Sequence, residues 1–137
     1  MKYAKILAPA LLALVGGTAM AATATWTVVF EGPGGHSNGD YGNVNAVHAG
    51  ANAALAIQKA LPGAVLSGMK GGVSVNAIAA DCTFMVTVDG TDEALAKAKA
   101  EVEKAAKAAA DQENAFRGVK EGDLVKGAPA HIRVSVK

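Results

Sequence analysis

Three pieces of one stretch decide how this chain reads. They are Gly32-Pro33-Gly34-Gly35-His36-Ser37, Gly42-Asn43-Val44-Asn45-Ala46-Val47 and Gly71-Gly72-Val73-Ser74-Val75-Asn76-Ala77-Ile78. The first is a glycine-rich stop that ends whatever precedes it and leaves His36 on a loop. The second opens an alanine-rich segment with two asparagines, either of which can cap a helix. The third starts with a double glycine, which permits a sharp turn or a close backbone approach.

Working outward, Ala24 to Glu31 reads as a strand: Trp26, Val28 and Phe30 alternate with Thr25, Thr27, Val29 and Glu31. A helix is predicted from a cap at Asn43 or Asn45 to about Ala60, before Leu61-Pro62-Gly63. One face carries Val47, Gly50, Ala51, Ala54, Ile57 and Leu61, a spacing suited to packing on a sheet. A neighbouring stripe carries Ala46, Ala49, Ala53, Ala56 and Ala60. It reads either as a close helix–helix contact or simply as the helix propensity of alanine. Ala64 to Lys70 is a weaker strand. Cys82, Phe84, Val86 and Val88 alternate with polar or exposed-type neighbours in a third strand, ended by Asp89-Gly90. Thr91-Asp92-Glu93 caps a second helix with acids where its dipole favours them. That helix fades around Ala115 to Gly118. A polar loop runs from Val119 to Ala130, and Ile132, Val134 and Val136 mark a last strand. The order is strand, helix, strand, strand, helix, strand. It predicts an α+β, ferredoxin-like split βαβ sandwich: one four-stranded antiparallel sheet with both helices on one face.

The ends and the composition narrow the setting. Lys2 and Lys5, the apolar run from Ile6 to Val15 and the Ala19-Met20-Ala21 triplet form an export signal over residues 1–21. Cleavage after Ala21 makes the expected location periplasmic or secreted, with no membrane attachment afterwards. The remaining 22–137 form one domain of modest core. The signal holds two of the 13 basic residues and none of the 12 acids, so the domain carries a formal charge near −1. That balance supplies no electrostatic footprint for nucleic acid. Cys82 is the lone cysteine, so no internal disulfide is possible, and its place in a strand pattern predicts a buried, inert thiol.

The ordered set Gly35-His36-Ser37, Gly42, Asn45-Ala46, the alanine-rich helix, Gly71-Gly72 and Asn76-Ala77-Ile78 resembles the dimerisation, or lid, domain of the zinc aminoacylase and carboxypeptidase metallopeptidases. In that family the lid is inserted into a zinc-binding catalytic domain and pairs two subunits through its first helix and an edge strand. The resemblance therefore implies a homodimer whose interface includes Ala46, Ala49, Ala53, Ala56, Ala60, Leu66 and Gly68. It also implies ligand-binding roles for His36, whose counterpart reaches across the dimer into the partner's active site, and for Asn76, whose counterpart contacts substrate. An imidazole N–H and a carboxamide are donors suited to a carboxylate or an oxyanion. Departures from the family pattern are equally plain. Ala79 stands where proline is common, and Asp89 stands where an arginine often meets the substrate carboxylate. No His-x-Asp, Glu-Glu pair or later ligand histidine exists to hold zinc.

Other chemistries fit less well. His36, Asp40 and His48 match no metal-ligand spacing, so no metal and no cofactor are expected. Ser37 beside His36 lacks a third group to orient a base. Gly32 to Gly35 is followed by no lysine, unlike a phosphate loop. The expected function is thus a non-catalytic, exported dimerisation and binding module. The alternative is an accessory subunit that docks in trans on a separate zinc peptidase or amidohydrolase and supplies His36 and Asn76.

Overall fold

The computed structural model describes residues 20–137. The export signal therefore lies outside the described residues except for its last two. Strand β1 (Ala22–Glu31) begins two residues earlier than the sequence pattern predicts. Pairing explains this: all ten of its residues face β5 (Asp81–Gly90) in antiparallel register, from Ala22 opposite Gly90 to Glu31 opposite Asp81. Strand β3 (Val65–Gly71) lies on the other side of β5, and β8 (Arg133–Val136) lies beside β1, so the sheet order is β3-β5-β1-β8. Helix α1 (Ala46–Ala60) and helix α2 (Asp92–Arg117) pack on one face of this sheet. The ferredoxin-like plan is the observed one.

The alternation in β1 and β5 does the sorting. Val28, Phe30, Cys82, Phe84 and Val86 point to the helices and are fully buried, with the rings of Phe30 and Phe84 stacked at 6.5 Å. The intervening residues face away from the helices, where Thr25 and Thr87 share a hydroxyl–hydroxyl hydrogen bond of 2.9 Å. Burial pushes the Cys82 thiol pKa up, helped by the neighbouring Asp81 charge, as expected of an inert thiol.

The alanine stripe of α1 finds its partner inside the chain. Ala46, Ala49 and Ala53 are 0 % exposed and belong to the core shared by the two helices. They cannot touch a second copy, so the implied dimer contact is corrected at these three positions. Small side chains let α1 and α2 approach each other closely. Only Ala56 and Ala60 of the stripe are exposed. Leu66 is half-buried against the core, while Gly68 sits exposed where a bulge between Ser67 and Lys70 breaks the pairing of β3 with β5. On the sheet-packing face, Gly50 and Ile57 are buried as predicted, but Ala51 is exposed.

Four short strands escape the sequence pattern. Strand β2 (Gly35–His36) pairs with β4 (Ala77–Ile78). The stretch 119–130, read as loop, contains a hairpin of β6 (Leu124–Val125) and β7 (Ala128–Pro129). Its two-residue turn, Lys126-Gly127, has positive φ at both positions, the backbone that matches the twist of a tight hairpin. Two-residue strands carry no readable period, which is why the pattern misses them. Among the described residues, no helix is long and apolar enough to cross a membrane.

Candidate functional site

The site grows from the loop that leaves β1. Gly35 adopts φ +141°, and a Cβ there would collide with the side chain of Asp40. Without that Cβ, the Asp40 carboxylate folds back and accepts the backbone N–H of His36 at 2.8 Å. Asp40 N–H in turn donates to His36 O, and Asn43 donates through its side chain to Gly34 O, both at 2.8 Å. The loop is thus closed by its own polar groups. Lys126, at the hairpin turn, reaches across and pairs with Asp40 at 2.6 Å. The Lys126 ammonium, followed by the His36 N–H, holds the Asp40 carboxyl below the usual carboxylate range.

Pairing of β2 with β4 then carries the loop to the segment after the double glycine. Ser37 N–H donates to Asn76 O at 2.9 Å. The side-chain amide of Asn76 meets His36 Nε2 at 3.1 Å, and the Ser74 hydroxyl bonds the same amide at 2.9 Å. His36 Nδ1 accepts the N–H of Asn38 at 3.2 Å. The Asn76 NH₂ faces His36 Nε2, and its Oδ1 accepts the Ser74 hydroxyl. His36 and Asn76, 40 residues apart in sequence, form one exposed donor–acceptor unit. Around it the two loops leave Tyr41, Val73 and Val75 bare, at 89, 87 and 108 % exposure.

His48 lies elsewhere, on the first turn of α1, with Nδ1 4.0 Å from a carboxylate oxygen of Glu113. Glu113 is buried on α2. It accepts the N–H of Asn45 at 2.9 Å and Arg117 Nε at 3.2 Å. His36, Asp40 and His48 are therefore not one cluster. Among the described residues, no three His, Cys, Asp or Glu side chains converge as metal ligands.

Sequence reasoning singled out His36 and Asn76 but missed two groups that shape their surroundings. In the sequence Asp40 reads only as a metal partner, whereas its carboxylate clamps the loop by accepting the His36 N–H. Lys126 sits in a stretch that reads as featureless, and no local signal ties it to residue 40.

Comparison with known proteins follows the same outline. Residues 19–114 match the family model of the peptidase dimerisation domain. No curated protein sequence matches the chain. Among solved structures, an aminobenzoyl-glutamate utilization protein from Klebsiella pneumoniae is 22% identical with a TM-score of 0.56, over 85% of this chain and 28% of that one. The aminopeptidase PepT from Bacillus cereus is 14% identical with a TM-score of 0.60, over 85% and 29%. A hydantoinase/carbamoylase-family amidase from Burkholderia multivorans is 15% identical with a TM-score of 0.59, over 85% and 27%. The chain thus spans under a third of the length of each structure it resembles.

Proposed function

Because the chain belongs to the peptidase dimerisation domain family, we propose that it works as a non-catalytic pairing and binding module, two copies joining side by side through β3. The observation that carries this reading is the edge of β3, which among the described residues pairs only with β5. It ends the sheet, and Val65 and Met69 on it are 62 and 46 % exposed. An uncovered edge with bare apolar side chains is a template for a second strand. The bulge at Gly68 limits the paired length to part of β3. Since Ala46, Ala49 and Ala53 are committed to the core, α1 contributes from the side that flanks β3, near Val47, which lies against Gly71. Light scattering on the purified protein across a concentration series tests this. A dimeric mass is expected, and a monomer at every concentration rejects it.

Export belongs to the same proposal. Strand β1 starts at Ala22, so cleavage after Ala21 would leave the sheet whole. The intact mass of protein recovered from the periplasm or medium should correspond to residues 22–137.

The bare Tyr41, Val73 and Val75 beside His36 and Asn76 favour a second reading, docking in trans on a separate zinc amidohydrolase. Apolar side chains left exposed at two adjoining loop tips suit contact with another protein. In that arrangement the partner enzyme's rate rises on adding this chain and loses the gain with His36→Ala or Asn76→Ala. An unchanged gain with both variants rejects it.

A further inference from the structure

The hairpin of β6 and β7 carries an unusual residue at its tip. Lys126 has φ +49°, the one positive value on a non-glycine residue among those described. The left-handed region is costly for a residue with a Cβ, and the first position of such a two-residue turn favours asparagine, aspartate or glycine. Gly127, with φ +82°, meets that preference at the second position, whereas Lys126 goes against it at the first. Backbone outliers of this kind persist where surrounding contacts hold them, and they cluster at functional places.

The contact that holds this one lies across the surface. Lys126 Nζ sits 2.6 Å from Asp40 Oδ1. The other oxygen, Oδ2, accepts the His36 N–H at 2.8 Å, so each donor has its own acceptor. The Asp40 side chain is 11 % exposed, while that of Lys126 crosses solvent at 76 %. Among the described residues, no other hydrogen bond or ion pair joins the tip at 124–129 to the His36 loop. The root of the hairpin is braced separately. Ala130 is buried and donates its N–H to Asp123 O at 2.9 Å, and the Asp123 carboxylate accepts the Lys120 N–H at 2.8 Å. Beyond Asp40 the contacts run on to Asn76. Ser37 N–H donates to Asn76 O at 2.9 Å, and the His36 and Asn76 side chains meet at 3.1 Å.

We propose that Lys126 is a positioning residue: it holds Asp40, and through Asp40 the His36 backbone, in the arrangement that brings His36 and Asn76 together. Asparagine is the better turn residue but is too short to reach Asp40. A lysine at the tip keeps the less favourable backbone and makes the contact. The proposal rests on the trans-docking reading for its use, since that reading employs His36 and Asn76. Its test reads the loop in this chain alone, so it holds or fails whether or not a partner enzyme is found.

The test is amide-proton exchange of His36 and Ser37, followed by NMR on the purified protein and its Lys126→Asn, Lys126→Arg and Asp40→Asn variants. Lys126→Asn suits the turn, so the urea midpoint should stay level or rise. The His36 amide should nevertheless exchange roughly two- to fivefold faster, the change that losing one partly exposed ion pair produces. Loss of a nearby positive charge by itself draws less hydroxide and slows exchange, so a faster rate reports opening of the loop. Lys126→Arg keeps the charge and should keep the parent rate. In the Asp40→Asn background, Lys126→Asn should change nothing, because the link is already cut. An unchanged His36 rate in Lys126→Asn, an equally fast one in Lys126→Arg, or the same increase with and without the Asp40 carboxylate overturns the proposal. A faster rate that comes only with a lower urea midpoint also overturns it, since that is general loss of stability.

Discussion

At the scale of single residues, Asp40 and Glu113 are two carboxylates that hold backbone N–H groups in place, and each makes a prediction. The Asp40 carboxyl is held below its unfolded value of 3.8 by the Lys126 ammonium first and the His36 N–H second. A depressed carboxyl pKa contributes stability that is present above the unfolded value and lost as pH falls through the folded one. The His36 loop should therefore loosen only below pH 3.8. In Lys126→Met the Asp40 titration, followed by carboxyl-carbon NMR, should move up toward the unfolded value. An unmoved midpoint would show that the ion pair does not hold in solution. Glu113 is 4 % exposed and satisfies the Asn45 N–H at the cap of α1 together with Arg117. Glu113→Ala strands both donors in a buried place and should cost about 1.5–3 kcal/mol in urea unfolding.

At the scale of elements, the contact of α1 with β5 turns on one glycine. A Cβ at Gly50 would run into Cys82 Sγ and crowd Cys82 Cβ at 3.1 Å. Gly50→Ala should therefore destabilise by about 1–3 kcal/mol through overpacking, less about 1 kcal/mol regained from helix propensity. Removing the obstacle should relieve the strain. The double variant Gly50→Ala with Cys82→Ala is expected to be more stable than the sum of the single effects by about 0.5–3 kcal/mol. Strict additivity in a denaturation cycle would mean that helix and strand do not meet there. Nothing in the sequence distinguishes Gly50 from its alanine neighbours, since its need arises only when the helix lies on the strand. The apolar alternation of β1 and β5 was legible, because a period of two survives any arrangement of the sheet. The 119–130 hairpin was not: its strands are two residues long, and its pairing is clearest from the backbone.

For the whole molecule, the question is which edge meets a second copy. The sheet has two free edges, β3 and β8, and they differ in chemistry. The β3 edge presents Val65 and Met69, while β8 is partly capped by Asn114 and lies beside charged side chains. A lysine on an edge strand opposes strand addition. Val65→Lys should raise the dimer dissociation constant by roughly tenfold or more in sedimentation or light scattering. Val65 is exposed, so the monomer should keep its stability. An unchanged dimer would move the contact away from β3. The ten-residue register between β1 and β5 keeps the two edges apart, so events at one need not disturb the other.

Through its resemblance to the lid domain the sequence pointed to His36 and Asn76; by itself it determined the order of the main elements and the faces of the central strands. Those follow from local periods, caps and glycine stops, which act over a few residues. Only the tertiary structure decided the rest. It turned the alanine stripe inward against α2, because two helices on one sheet face must bury the surfaces between them. It also brought Lys126 to Asp40 and set Asn114 against β8. Each of these depends on side chains that meet only after the chain has folded back across the sheet, and no spacing along the chain encodes that meeting.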